Sequence, residues 1–322
     1  MPWGWGGVVG GRGRPGPPIA CGHVRDPAAR SPRGDLPAVG MVLLAALSVQ
    51  LGAGVAGRLF PQFGPLGATS LRLCLAALVL LVVVRPRVRG WTRRQWWLSA
   101  GFGVALACMN TSFYAAIDRI PLGVAVTCEF LGPLVMSAVL TRRARDLVWV
   151  ALALAGVAVL GLGGDGAGGV LDPVGVVLAL VAGGFWAAYV LLSARLGAAT
   201  PGQSGLAVAS VVAGLLVLPA GVVGAGTDLL HPAVLAVGLV VALASSVLPY
   251  SLELVALRRL PARTFGVLLS LEPAIAALVG LVLLRQGLPA TSWLAVAAVV
   301  VASAGSTLAS RDRQARASVG PE

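Results

Sequence analysis

Between Pro37 and Leu308 the chain carries ten apolar runs of about 20 residues, the length at which a helix crosses a hydrocarbon layer of roughly 30 Å. They are 37–57, 65–84, 95–117, 121–140, 147–163, 173–194, 203–224, 232–257, 261–284 and 290–308. The segments between them carry turn chemistry, as in FPQFGP (60–65), VRPRVRG (84–90), GGDGAGG (163–169) and TDLLHP (227–232), because Pro and Gly stop helices and charge stays in water. With 57% hydrophobic and 11% charged residues, a soluble fold would lack the polar surface to cover itself. The pattern predicts an all-α membrane protein with ten transmembrane helices.

A net charge of +12 would suit a nucleic-acid binder only if the cations formed one face. Every basic residue is Arg, and they alternate with the spans. The N-terminal arm, the second, fourth, sixth and eighth loops and the tail hold all of the 24 except Arg58, Arg119 and Arg285 opposite and Arg72 inside a span. Cytoplasmic loops retain positive residues, so the chain is expected to be a multi-pass membrane protein with both termini cytoplasmic and no nucleic-acid partner. The basic arm 1–36 is too rich in Gly, Pro and Arg to bury a core and reads as disordered, or as the product of a start codon placed too early, Met41 lying within the first run. Residues 309–322 read as a cytoplasmic tail.

Self-similarity organises the rest. AIDRIPLGVAVTCEFLGP (116–133) aligns without gaps on ALRRLPARTFGVLLSLEP (256–273), placing Ala116 on Ala256, Arg119 on Arg259, Pro121 on Pro261 and Pro133 on Pro273. Ten spans then divide into halves, 37–163 and 173–308, about the GGDGAGG loop. An odd number of spans per half forces opposite orientations, so the expected fold is two inverted five-helix repeats, with a site near the midplane between them. Each half supplies the other's partner, so a monomer or weak oligomer is expected.

An ionisable group within a span costs at least about 2.5 kcal/mol on insertion scales and needs a reason. Glu129 and Glu272 lie roughly 12 and 17 Å along their helices from Pro121 and Pro261, near mid-depth. Glu253 lies closer to the cytoplasmic end of its span, where reaching toward Arg258 or Arg259 competes with a role in transport. The three acids are candidates for proton coupling or for binding a substrate ammonium, the competing reading being packing groups held protonated or paired. Arg72 lies at a depth matching Glu129, so a structural ion pair between them is expected.

Polar and aromatic residues at helical spacing mark a substrate cavity: Gln50 in the first span, Asn110 and Tyr114 in the third, Trp186 and Tyr189 in the sixth, and Ser246 and Tyr250 with Glu253 in the eighth. Pro133, Pro249 and Pro273 each remove a backbone donor inside a span and are expected to kink helices four, eight and nine. Several GxGxxG spacings follow no strand, and His23 and His231 stand alone without HExxH, so no metal, cofactor or catalytic residue is expected.

The segments SLEPAIAALVGLVLL (270–284), SVQLGAGVAGRLFP (48–61), LRL (71–73), IPLGVAVTCEFLGPL (120–134), ALASSVLPYSLELVALRRLPARTFGVLLSLEPA (242–274) and ASAGSTL (302–308) resemble the EamA-type transporters of the drug/metabolite transporter superfamily, and among them the branch exporting threonine and homoserine. The resemblance covers about Leu36 to Leu308. It implies a secondary active exporter of small amino acids such as threonine or homoserine, coupled to protons by alternating access, with the lipid bilayer as its other partner. Where many members of that family carry a Gly-Glu pair after helix nine, this chain has Arg285 and Gln286. The competing readings are an exporter of another small metabolite or drug, and, from a different class, an intramembrane enzyme modifying a lipid or isoprenoid.

Overall fold

Lipid offers no hydrogen bonds to a peptide group, so an apolar run of this length is stable there only as a helix. The computed structural model describes residues 36–141, 147–162, 171–200, 203–249, 252, 256, 259–260 and 262–318. Its helices are α1 (Leu36–Gly57), α2 (Phe60–Val84), α3 (Arg93–Ile117), α4 (Leu122–Glu129), α5 (Leu131–Thr141), α6 (Leu147–Leu162), α7 (Pro173–Ala199), α8 (Ser204–Ala225), α9 (Pro232–Ala242), α10 (Ala262–Leu269), α11 (Glu272–Leu283) and α12 (Ala290–Ser318), with no strand among the described residues. Among those residues, eight helical segments are long and apolar enough to cross a membrane, and two shorter apolar ones, Leu147–Val159 and Pro232–Val247, lie in the fifth and eighth expected runs.

Several boundaries differ from expectation. FPQFGP is helical from Phe60, because Pro61 sits in the first turn, where its missing N–H costs nothing, and Gly64 takes φ 64° to let Pro65 restart the helix. Thr92 and Gln95 form a reciprocal cap, which draws Arg93 and Arg94 out of the loop into α3. Arg195 likewise lies within α7, and α12 runs on to Ser318, into the stretch expected as a tail.

Packing is by small residues, with the large apolar ones outside. Buried positions are dominated by Ala, while Leu and Val crowd the surface, with Val223 at 89% and Val282 at 80% exposure. Lipid competes with Leu for apolar contact, so association rests on close backbone approach. On α2, Gly67, Ser70 and Cys74 face Ala225, Gly221 and Gly214 of α8, and Ser70 donates to the Val217 carbonyl at 2.7 Å. Gly123 of α4 faces Ala277 of α11, with Leu122 beside Gly280, and on α6 Trp149 and Gly156 meet Gly305 and Ala298 of α12. In all three pairs the partner's number falls as the first rises, so each pair is antiparallel. Cys74 and Gly214, which touch, are separated in the chain by the same offset that relates Pro133 to Pro273.

The antiparallel α3 and α7 are latched at both ends. Gln95 donates to the Ala199 carbonyl at 2.6 Å, and Arg119 pairs with Asp172 at 2.9 Å. Asp172 also caps α7 by accepting from the Val174 N–H at 2.8 Å. The hydrogen bond from Arg119, then the one from Val174, holds the Asp172 carboxyl below its ordinary value of 3.8. A lowered carboxyl stabilises the fold above that ordinary value and loses the contribution as pH falls through the lowered one. Arg119→Gln is therefore expected to lower the thermal midpoint in detergent at pH 7, with the gap to the unaltered protein closing on acidification below pH 3.8.

The three prolines act at distinct points. Pro133 cannot donate to the carbonyl of Glu129, and the helix breaks at Phe130 between α4 and α5. Pro273 cannot donate to the carbonyl of Leu269, and the break falls at Ser270–Leu271 between α10 and α11. Phe130 and Ser270 each lie three positions before their proline. Pro249 is preceded by a π-helical turn, Leu243–Val247, in which the N–H of Leu248 bonds the carbonyl of Leu243.

Candidate functional site

Both helix breaks border one cavity of about 440 Å³, within the ~300–1,000 Å³ usual for small-molecule sites. Glu129 ends α4 and Glu272 begins α11, so both carboxylates enter at the breaks, where an interrupted helix leaves room for a side chain and for a ligand. Leu269, the position that the repeat equates with Glu129, lines the cavity as well. Of the other residues read from the sequence, Gln50, Arg72, Asn110, Pro133, Trp186 and Tyr189 all lie on the wall.

The aromatic wall is fixed by stacking. Trp186 stands edge-on to Phe130 at 4.8 Å between ring centres, and Tyr189 lies against Phe102 at 4.7 Å. Asn110 is 4% exposed and donates from Nδ2 to the Leu106 carbonyl at 2.8 Å. Gln50 is 3% exposed, and its Oε1 has no partner within the protein.

Arg72 is not in a direct ion pair with Glu129, contrary to the sequence expectation. Its terminal nitrogens donate instead to the Tyr114 hydroxyl at 3.1 Å and the Ser245 carbonyl at 3.3 Å, with the guanidinium 5.4 Å from the centre of the Tyr114 ring. The physical reason lies in the π-turn before Pro249. Pro249 has no N–H to give the carbonyl of Ser245, so that oxygen is free to accept from Arg72, while the neighbouring Ala244 carbonyl accepts from Ser48 at 2.7 Å.

Two further expectations are corrected. Tyr114 is fully buried behind the wall, between Arg72, Phe60 and Phe113, and holds the guanidinium without lining the cavity. Ser246 is buried but off the wall, because the π-turn breaks the 3.6-residue register on which its placement in a stripe relied. Tyr250 and Glu253 lie outside the described residues. Pro249 and Pro273 are both fully buried.

Sequence reasoning missed a hydroxyl face. Ser303, Ser306 and Thr307 of α12 and Ser137 of α5 line the cavity, and Ser303 lies 3.0 Å from the Ser270 hydroxyl at the second break. The i, i+3, i+4 spacing of the first three in the last span was the available signal. Gln286, where the related family carries an acid, accepts the N–H of Leu122 at 3.0 Å and so caps α4, whose N-terminal flank Pro121 has no capping side chain. That position therefore serves the helix end and not the cavity.

A lipid-facing bundle of all-α, multi-span build, enclosing an acid-bearing cavity, is the design of a membrane transporter. The sequence model of the EamA-like transporter family matches residues 173–308. The chain is 44% identical over 272 residues to the threonine/homoserine exporter RhtA of Escherichia coli (strain K12), spanning 84% of this chain and 91% of that one. It is 43% identical over 272 residues to the RhtA of Salmonella typhimurium (strain LT2), with the same 84% and 91% coverage. The uncharacterized transporter YwfM of Bacillus subtilis (strain 168) is 26% identical over 246 residues, 74% of this chain and 82% of the relative. A solved crystal structure sharing 19% identity superposes with a TM-score of 0.53, over 85% of this chain and 97% of its own, which shows the fold. The chain belongs to the EamA-like transporters of the drug/metabolite transporter superfamily and is homologous to the RhtA threonine/homoserine exporters. It is a multi-pass inner-membrane secondary transporter related to amino-acid exporters, and the intramembrane-enzyme reading is set aside by that kinship.

Proposed function

We propose that this protein exports threonine, homoserine or a similarly small hydrophilic amino acid in exchange for protons. Alternating access would occur between two inverted five-helix repeats, 37–163 and 173–308, with both termini in the cytoplasm and one copy of the chain forming the working unit. The observation that carries the reading is the pair of carboxylates, Glu129 and Glu272, placed at equivalent helix breaks around one cavity. Three helix pairs related by the sequence repeat cross antiparallel, which supports an inverted arrangement with its axis through the crossings. The contacts of α4 with α11, followed along both helices, carry the two breaks toward the same depth, where a transporter of this architecture keeps its site. The hydroxyl face of Ser137, Ser303, Ser306 and Thr307 suits a substrate that itself carries a hydroxyl.

The test is accumulation of radiolabelled threonine in inverted membrane vesicles under an imposed, interior-acid proton gradient. Gradient-dependent accumulation is the expected result. The reading is overturned if no amino acid accumulates in a gradient-dependent manner, and a different solute class accumulating instead would redirect it within the superfamily.

A further inference from the structure

The cavity wall holds an arginine and a carboxyl group that do not meet. Arg72 projects from α2 and Glu129 from α4, both on the wall, without a direct ion pair between them. Arg72 is held from behind by Tyr114 and Ser245, which use two of the five N–H donors of a guanidinium, and its Nε has no partner in the protein. A buried donor such as the Arg72 Nε needs an acceptor, and Glu129 does not supply it. The repeat places Val212 opposite Arg72 in the second half, so the positive charge belongs to one side of the cavity only.

Resting on the reading of this cavity as an amino-acid site, we propose that Arg72 binds the α-carboxylate of the transported zwitterion and Glu129 its ammonium group, with the unpartnered oxygen of Gln50 as a further acceptor. A zwitterion neutralises both protein charges in one binding event, and the guanidinium fork matches a carboxylate. A solute with only one of the two charges leaves the other protein charge buried and unpaired, so selectivity against simple amines and simple acids follows from the site itself. Glu272, on the same wall at the second break, is left to carry the proton. Arg72 is thus a specificity determinant, and its hold on Tyr114 and Ser245 is what positions it.

Competition against labelled threonine in vesicles containing the unaltered protein decides the matter. Threonine and homoserine should compete, while threoninol, which lacks the carboxylate, and 3-hydroxybutyrate, which lacks the ammonium, should each be weaker by about tenfold or more. Arg72→Gln should weaken threonine by about tenfold with little change for threoninol, and Arg72→Lys should recover part of the loss. Equal competition by threoninol and threonine, in vesicles that do accumulate threonine, overturns the assignment of Arg72 and leaves the export reading standing. Vesicles of the unaltered protein that accumulate no amino acid overturn both.

Discussion

Glu272→Gln is expected to abolish uphill accumulation of threonine in inverted vesicles while leaving counterflow exchange of threonine across the same membranes. Gln keeps the shape and hydrogen-bonding reach of Glu but cannot take up or release a proton. Glu272 opens α11 at the break before Pro273 and lines the cavity, so its carboxyl is placed to exchange a proton with whichever solution the cavity meets as access alternates. One proton exchanged per solute down one pH unit supplies about 1.4 kcal/mol, enough for about tenfold accumulation, and that factor is what the variant should lose. Retained gradient dependence in Glu272→Gln, at matched membrane abundance, would remove this acid from coupling.

Gly132→Ala is expected to be the most damaging single-carbon change in the protein. A Cβ at Gly132 would overlap the carbonyl group of Gly183 on α7, and one at Gly183 would overlap the carbonyl oxygen of Glu129. These are backbone atoms that cannot swing aside as the tip of a side chain does. The break at Phe130 is thus covered by the backbone of α7, which lies close enough only because both positions lack a side chain. Overpacking of this kind costs up to about 3 kcal/mol, and here it would also displace Glu129 from the cavity wall. The expected readout is a sharp fall in monodisperse protein on size-exclusion chromatography and in thermal midpoint. Gly184→Ala, on the same stretch of α7 but with open space around its Cβ, should behave as the unaltered protein. Equal behaviour of the two variants would show that the helices adjust and that the contact is dispensable.

Most of what the hydropathy pattern anticipated concerns where the chain lies in the membrane. Apolar helical segments fall at each of the expected runs, because length and composition act locally and lipid allows few alternatives to a helix. The prolines that the self-similar segments share were readable as well, and each follows a helix break, at Phe130 and at Ser270–Leu271. Glu129, Glu272, Gln50, Asn110, Trp186 and Tyr189 reached the cavity because a polar or ionisable residue in a span must find an interior to face. Tyr114, Ser246 and the Arg72–Glu129 pair failed for a shared reason. Each was inferred from spacing on a regular helix or from matching depth, and neither quantity contains the rotation that a π-turn introduces or the choice a guanidinium makes among several acceptors.

The amino-acid order alone determined where apolar helical segments lie and that acids fall within them, because these follow from the cost of exposing peptide groups to hydrocarbon. Tertiary structure decided who faces whom. Only the packed bundle shows that Pro249 frees a carbonyl for Arg72, that Gln286 caps a helix in the other half, and that hydroxyls of the last helix complete the wall. Those pairings join residues far apart in the chain, and their energy depends on distance and direction in space, which one-dimensional spacing does not encode.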